Sequence, residues 1–452
     1  MIVMISAQKA VLSLFQSKGL FEKEKCIEYL ETFSEDKYIK PNVDILLKHS
    51  QYNTVKNKKQ TYIVYNTLFN SMITLSESEF KQYINIKFSD LSIVEALVDN
   101  GFLIPNYVNE YERYDYYKQI LLRQPSDISH YTVALTSKCN AKCFYCYEEG
   151  IKKYDMTLKT AKRFAENLLN SKKSIDITWF GGEPMLKMDI ITYISEILND
   201  NKRDFQSGLI TNGSLLSEEI IKEKFPVWNV NWVQITLDGL KEEYLKRKQY
   251  SCNLKEVYDT VQNNIDLLLR NKINVSIRLN VDVENKEDCF AVANHLKSKY
   301  SDNKFLYVYP AFLYGQTDPV FSESERVEYS SRIYDLYSPE RSLLTYIPKI
   351  NSCFINQQGS FVIDTDGSIL GCDGDIGKRH TKFSNVFSID NFDNLEKPES
   401  VIPKVRNMCE SCVYYPKCGG GCMNTYSNPC KYDACFQERY KIEYLLNKII
   451  DF

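Results

Sequence analysis

No run of about eighteen apolar residues occurs anywhere in the 452-residue chain, so no helix is expected to cross a membrane. At the N-terminus, Met1-Ile2-Val3-Met4-Ile5 is soon interrupted by Gln8 and Lys9, which is too short an apolar core for a secretion signal. An excess of one charge is also missing. The 56 Lys and Arg against 59 Asp and Glu leave a formal net charge of −3, so neither nucleic acid nor an anionic membrane is an expected partner. Hydrophobic residues at 44% and charged residues at 25% are ordinary for a soluble globular protein. The length suits two or three domains. The 33 Tyr and 23 Phe are scattered, as core and interface residues are, rather than grouped into a stacking platform.

What is present in quantity is cysteine. Fourteen cysteines in a chain without a secretion signal point to metal or redox use rather than disulfides, and so to a reducing, anaerobic cytoplasm. Eleven fall into two groups, Cys139 to Cys146 and Cys353 to Cys435, while Cys26, Cys252 and Cys289 read as plain thiols. The first group, Cys139-Asn140-Ala141-Lys142-Cys143-Phe144-Tyr145-Cys146, is spaced C-x3-C-x2-C. It begins where the strand pattern Tyr131–Thr136 ends. Thiolates this dense on one loop converge on a point and suit an iron–sulfur cluster or zinc. Zinc normally wants a fourth ligand, and no His or Cys follows nearby. Three thiolates on a four-iron cubane leave one iron open, as a catalytic cluster requires.

The chain before and after this loop differs in pattern. Residues 9–33 repeat apolar positions every three and four residues, with a break at Gly19, which predicts two short helices. Residues 61–66 and 71–75 read as a hairpin, followed by a helix from Glu77, a helical patch over 91–98 and a closing segment 101–105. Residues 106–130 read as a linker. From 131 to 315, strands near 131–136, 175–180, 208–211, 232–237, 275–281 and 305–309 alternate with helices near 157–171, 188–199, 217–224, 254–270 and 287–298. Such alternation predicts a parallel α/β sheet. In such folds the site lies at the carboxyl ends of the strands. Connecting helices fill 316–352, and 353–452 carries the second cysteine group.

At the first cysteine loop the chain resembles the radical S-adenosylmethionine (SAM) enzymes, whose signature is C-x3-C-x-aromatic-C, here Cys139, Cys143, Tyr145 and Cys146. The resemblance implies an open, partial (β/α)6 barrel. It also implies a [4Fe–4S] cluster whose open iron chelates SAM, and cleavage of SAM to a 5′-deoxyadenosyl radical that abstracts hydrogen. Gly181-Gly182-Glu183-Pro184 directly follows a strand. Its glycines would let backbone carbonyls approach a ligand closely and Glu183 would add an acceptor, and the matching family segment binds the SAM amino group; by itself the segment reads equally as a tight turn. Asn212, in Thr211-Asn212-Gly213, and Thr236 and Asp238, in Thr236-Leu237-Asp238-Gly239, end the next two strands and resemble segments lining the SAM site. Thr236 matches a ribose-contacting position, and Asp238 equally suits a turn cap. Arg278, beside Asn280, and Arg247 are candidates to pair with the methionine carboxylate or with the barrel wall.

The C-terminal array runs Gly367-x4-Cys372, then Cys409-x2-Cys412-x5-Cys418-x3-Cys422, with Cys353 ahead and Cys430 and Cys435 behind. On the residues alone it suits two zinc sites. Its spacing resembles the SPASM domain, which implies two auxiliary [4Fe–4S] clusters and three in all. One would take Cys353, Cys372 and Cys422, the other Cys409, Cys412, Cys418 and Cys435. A further family ligand falls on Gly359, so the first auxiliary cluster is either open at one iron or capped by Cys430. Asp373 matches a proposed general base of anaerobic sulfatase-maturating enzymes, and also reads as an ordinary turn aspartate.

The N-terminal 1–105 resembles, in topology, the winged-helix-like modules that recognise leader peptides; a structural cap on the barrel is the alternative. Together these resemblances imply a maturase of a ribosomally made precursor peptide, forming thioether crosslinks at cysteines. It would be supplied with electrons by a flavodoxin or ferredoxin. Oxidation of Cys or Ser to formylglycine and carbon–carbon crosslinking are the alternatives. A non-catalytic electron-transfer or peptide-binding protein is the reading from a different class.

Overall fold

The computed structural model describes residues 46–115, 127–251, 256–301, 303–313, 321–337, 355, 357–377, 382–398, 407–420, 439, 442–444 and 446–447. The helices expected over 9–33 lie outside these residues, as do Cys353, Cys422, Cys430 and Cys435.

The chain enters through β1 (Leu47–His49), β2 (Asn53–Lys58), β3 (Thr61–Asn66), β4 (Ser71–Ser76), α1 (Glu77–Asn85), α2 (Leu91–Asp99) and β5 (Leu103–Pro105). The expected hairpin is β3–β4. The structure adds β2 on the other side of β3, making an antiparallel three-stranded sheet, and pairs β1 with β5 separately. β2 reads Asn-Thr-Val-Lys-Asn-Lys. With one apolar residue it has no amphipathic signal, and the β3 ladder is what holds it. α1 starts at a capping box, in which Ser76 accepts from the Glu79 amide and the Glu79 carboxylate accepts from the Ser76 amide at 2.8 Å. Asp90 caps α2 through the Ser92 amide at 2.8 Å. Each such cap is worth about 1 kcal/mol. Both helices close over Val64, Tyr83, Leu97, Val98, Phe102 and Leu103.

The alternating region forms β6 (Ile128–Thr136), α3 (Leu158–Leu169), β7 (Ser174–Gly181), α4 (Met188–Asp200), β8 (Phe205–Thr211), α5 (Phe225–Trp228), β9 (Val230–Leu237), α6 (Lys241–Lys248), α7 (Val257–Arg270), β10 (Asn274–Val281), α8 (Lys286–Tyr300), β11 (Leu306–Phe312) and α9 (Glu323–Tyr337). The six strands pair in parallel and in chain order, each next to its predecessor. Val233, Ile235 and Leu237 of β9, and Val275, Ile277, Leu279 and Val281 of β10, are buried in one continuous core with Phe164, Leu168, Ile191, Ile194, Ile265 and Leu268 of the helices. Each such side chain contributes about 2 kcal/mol of burial. By the two-residue period of a strand, Trp232, Gln234 and Thr236, and likewise Ser276 and Arg278, face the other side. That polar face is available for a site.

The helix expected near 217–224 is instead a π-helical turn, Ile220–Lys224, running into α5. α6 (Lys-Glu-Glu-Tyr-Leu-Lys-Arg-Lys) had no apolar period to announce it.

β12 (Ser360–Ile363), β13 (Ser368–Leu370) and β14 (Ser384–Asn385) continue the same sheet, with β12 parallel to β6 and the others antiparallel, giving the order β11-β10-β9-β8-β7-β6-β12-β13-β14. The expected boundary at 353 is thus bridged by main-chain hydrogen bonds. α10 (Tyr415–Cys418) then returns to the N-terminal sheet. Thr67 Oγ1 donates to the Val413 carbonyl at 2.5 Å, Tyr114 Oη to that of Pro416 at 3.3 Å, and Tyr415 Oη to Asp115 Oδ1 at 2.9 Å. Ile63 and Tyr65 of β3 pack on Ile442 and Leu446. No described helix is long and apolar enough to cross a membrane.

Candidate functional site

The loop carrying Cys139, Cys143 and Cys146 leaves the carboxyl end of β6 and is stitched down at several points. Lys138 N donates to Thr136 Oγ1 at 3.0 Å, and the Lys138 ammonium pairs with Asp155 at 2.7 Å. Lys142 N donates to the carbonyls of Lys248 and Gln249 at 3.0 and 3.1 Å, and Ser251 N to that of Asn140 at 2.9 Å. A tight turn, Cys146 N to the Cys143 carbonyl at 3.0 Å, brings the last two cysteines together. All three thiols are half-buried, and Cys139 feels both others electrostatically. Burial pushes the Cys139 thiol up to about 11 and raises that of Cys146, so a metal must displace their protons on binding. Three half-buried soft donors on one anchored loop fit an iron–sulfur cluster.

Gly181 and Gly182 lie against this loop. Gly181 adopts φ +128°, and a Cβ there would sit 2.2 Å from the Thr136 carbonyl oxygen; one on Gly182 would sit 2.4 Å from that of Lys138. Only glycine allows this approach, which lets Gly182 N and Glu183 N donate to those carbonyls at 2.8 and 2.9 Å. Glu183 is fully buried, and both its oxygens are engaged. Oε1 accepts from Met185 N at 3.0 Å and Thr211 Oγ1 at 2.7 Å, and Oε2 from Asn212 N at 2.8 Å. Burial raises its pKa, and these hydrogen bonds oppose the rise. Its carboxylate therefore ties β7 to β8 rather than offering the acceptor expected of it. Pro184, buried, opens the 3-10 turn that follows. Asn212 extends the tie to the cysteine loop, its Nδ2 donating to Asn140 Oδ1 at 2.7 Å.

At the end of β9, Asp238 is fully buried. Its Oδ2 accepts a short hydrogen bond from Tyr145 Oη and faces Lys248 Nζ at 3.4 Å, while Oδ1 has no partner among the described residues. Burial pushes the Tyr145 phenol well up, with Lys248 opposing. For Lys248, burial would lower the pKa, but Asp238, Tyr145 and Cys143 raise it further, so the ammonium is held charged. The aromatic of the cysteine motif thus belongs to a buried Tyr145–Asp238–Lys248 group. Lys248 was not among the expected site residues, because α6 carried no apolar period. Arg247 is committed elsewhere, in a two-pronged pair with Asp282 at 2.7 and 2.9 Å plus Glu243; it is not available for a methionine carboxylate.

Arg278 is exposed on the polar face of β10, in register with Thr236, half-buried on β9, and with Tyr309. Its Nε donates to Asn280 Oδ1 at 3.0 Å. Tyr147, just past the cysteines, lies within electrostatic reach of Cys146, Glu148, Asp373 and Arg278. The cysteine loop, the C-terminal turn and the polar sheet face therefore all lie within electrostatic reach of Tyr147. Asp373 is exposed and closes its own turn, Oδ1 accepting from Gly374 N at 2.9 Å and from the Cys372 thiol at 3.6 Å. Cys409, Cys412 and Cys418 lie on consecutive turns, with Cys412 N donating to the Cys409 carbonyl at 3.2 Å and Cys418 N to that of Tyr414 at 2.9 Å. Cys409 is within electrostatic reach of Tyr111 and Cys418 of Tyr114, both from the N-terminal part.

Residues 133–296 match the radical SAM superfamily. This stretch is a radical SAM domain. The chain is 30% identical over 149 residues to a probable GTP 3′,8-cyclase of Methanococcus maripaludis, covering 32% of this chain and 48% of that one. It is 23% identical over 330 residues to a cysteine-type anaerobic sulfatase-maturating enzyme of Clostridium perfringens, covering 64% and 86%. The chain thus spans about half the length of the cyclase. Among solved structures, native anSMEcpe with bound AdoMet and Cp18Cys peptide superposes with TM-score 0.57 at 19% identity, covering 72% of this chain and 98% of that one. Streptococcus suis SuiB bound to precursor peptide SuiA superposes with TM-score 0.51 at 16% identity, covering 86% and 99%. These likenesses establish the fold: a radical SAM sheet within a larger chain.

Proposed function

We propose that this chain is a radical SAM enzyme that modifies a ribosomally made peptide, most directly by joining a cysteine sulfur to a carbon. The observation carrying the proposal is the proximity of the cysteine loop, the Cys372–Asp373 turn and the polar sheet face, all within electrostatic reach of Tyr147. A peptide held there would have its carbon next to the SAM site and its thiol next to the C-terminal cysteines, and such positioning removes much of the barrier to bond formation. The reading is supported by the fold shared with SuiB, which extends beyond the radical SAM domain at both ends.

In this reading Cys139, Cys143 and Cys146 hold a [4Fe–4S] cluster. Bound SAM supplies, on reduction, the 5′-deoxyadenosyl radical. Gly181–Pro184 and Asn212 shape the floor of the SAM site, Glu183 and Lys248 fix its walls, and Arg278 offers a cation to the methionine carboxylate. Thr236 and the partnerless Asp238 Oδ1 offer acceptors. Cys372, Cys409, Cys412 and Cys418, with Cys353, Cys422 and Cys435, hold two auxiliary clusters, and Cys430 is a further candidate ligand. A flavodoxin or ferredoxin supplies electrons, and the N-terminal sheet offers an edge for the leader peptide.

Formylglycine formation is the second reading, favoured by the Clostridium perfringens relative and by Asp373 as a base. Carbon–carbon crosslinking is a third product within the peptide class. The experiment is anaerobic co-expression with whatever short cysteine-containing peptide the neighbouring reading frames encode. Loss of a hydrogen pair per modified cysteine, with the sulfur retained and no aldehyde trapped by hydrazide, supports thioether formation. Hydrazide trapping would move the reading to formylglycine, and an unchanged peptide would reject both.

A further inference from the structure

Lys248 closes α6 beside the cysteine loop, and the main chain holds it there. Its carbonyl accepts from Lys142 N at 3.0 Å and from the Cys143 thiol at 3.9 Å. Its side chain turns inward and is 5% exposed, with Nζ 3.4 Å from Asp238 Oδ2. The ammonium also stands 5.7 Å from the centre of the Tyr145 ring and 5.9 Å from that of Tyr244. Tyr244 Oη and Tyr250 Oη share a hydrogen bond of 2.7 Å behind it, so the charge is walled off from water.

Burying an ammonium costs several kcal/mol, and pairing it with a carboxylate stabilises a fold no better than well-packed apolar residues do. Stability alone therefore does not account for a lysine at this position. The charges around it are unequal. Cys143 and two fully buried carboxylates, Asp238 and Glu183, lie within electrostatic reach of the ammonium. Other cations near the loop are paired or exposed to water. Arg247 is held by Asp282 and Glu243, Lys138 by Asp155, and Lys142 and Lys153 are exposed. Water and salt screen an exposed charge far more than a buried one.

We infer that Lys248 sets the reduction potential of the cluster at Cys139, Cys143 and Cys146, its fixed positive charge favouring entry of the electron. The inference rests on the cluster reading of these three cysteines and is independent of the peptide reading. Reduction brings one electron from a one-electron donor to a site already carrying three thiolates. A positive charge held nearby in low dielectric stabilises that added negative charge, and local charge and solvent exposure are among the factors that set iron–sulfur potentials. Asp238 acts in the opposite sense, since it holds the ammonium in place and partly cancels its field. Tyr145 Oη donates to the same Asp238 oxygen, which draws off part of that opposing charge. Lys248 is thus a positioning residue that acts through its field rather than by ligating iron.

The test is a redox titration of the anaerobic, iron-loaded full chain without SAM or peptide, followed by electron paramagnetic resonance. The signal of this cluster is the one that disappears when Cys139, Cys143 and Cys146 are all changed to Ala. Lys248→Met should lower the equilibrium constant for its reduction by about tenfold or more, a fall of about 59 mV for one electron. Lys248→Arg keeps the charge and should recover most of that loss. Asp238→Asn removes the opposing charge and should shift the potential upward. A merely structural role gives no such opposite shifts, because Lys248→Met and Asp238→Asn break the same ion pair. Lys248→Met titrating at the wild-type potential, or Asp238→Asn shifting downward or not at all, overturns the inference. Should Lys248→Met fail to load iron, the direction of the Asp238→Asn shift decides by itself. A wild-type protein lacking the loop-specific signal would reject the cluster reading, a result distinct from an unshifted potential.

Discussion

At the residue scale, the radical SAM domain is organised by side chains that its motifs do not display as motifs. Lys248 and Asp238 are both buried, and Asp238 also takes the Tyr145 hydroxyl. Removing one member of a buried ion pair leaves an uncompensated charge and destabilises by roughly 3–5 kcal/mol. Lys248→Met should therefore lower the chemical denaturation midpoint sharply, and Asp238→Asn added to Lys248→Met should recover a good part of the loss. Strict additivity of the two changes would contradict the pairing. Glu183→Ala strands three donors, the Met185 and Asn212 amides and the Thr211 hydroxyl. At roughly 1–3 kcal/mol for each buried group left unpaired, it should destabilise the barrel even without cluster or SAM. A variant as stable as the wild type would restore Glu183 to the role of a ligand-facing acceptor.

The sequence located these residues unevenly. The three cysteines, the glycine pair, Glu183 and Asp238 stood out because their spacing is unusual and each directly follows a strand. Lys248 did not, since a lysine in Lys-Glu-Glu-Tyr-Leu-Lys-Arg-Lys reads as solvated surface until Asp238 and Tyr145 are placed around it. Arg247 was legible as a cation but not as one already paired with Asp282, a partner 35 residues away.

At the scale of elements, the strands of the barrel were legible wherever β-branched and apolar residues alternate. β2 and β12 were not, since the first is polar and the second acquires its neighbour β6 only through tertiary pairing. One consequence concerns the start of the helical segment at 110–115. Glu110 is buried at 7% exposure and accepts from Ser50 Oγ and Gln51 N, both at 2.7 Å. Burial raises its pKa, with both hydrogen bonds opposing. An acid whose folded pKa is raised binds its proton more tightly when native. Its contribution is therefore present below the ordinary glutamate range and is lost as pH rises through the folded value. Denaturation midpoints of the N-terminal part should fall as pH rises out of the ordinary glutamate range, and Glu110→Gln should flatten that slope. An identical slope in the variant would remove Glu110 as the cause.

At the scale of the whole molecule, the N-terminal sheet and the Cys409–Cys418 turns meet. The N-terminal sheet contacts the Cys409–Cys418 segment through Thr67, Tyr114 and Asp115, and Lys417 Nζ donates to Asn70 Oδ1 at 3.0 Å. Deleting residues 1–105 should therefore loosen the cysteine turns it covers and, on the proposed function, also weaken peptide binding. If the three proposed four-iron clusters form, anaerobically reconstituted protein should carry about twelve irons, and the truncated chain about eight. Retention of all twelve would mean that the N-terminal part does not support that site, and stoichiometric zinc would remove the iron–sulfur assignment of the C-terminal cysteines.

The central claim, that this domain cleaves SAM reductively at the Cys139–Cys146 loop, is tested most directly by one measurement. Anaerobic iron-loaded protein is mixed with SAM and dithionite, and the nucleoside products are separated and quantified. The account predicts 5′-deoxyadenosine and methionine in equal amounts, and neither above background when Cys139, Cys143 and Cys146 are all changed to Ala. SAM recovered intact from the iron-loaded wild-type protein, or the same yield from the triple variant, would contradict it.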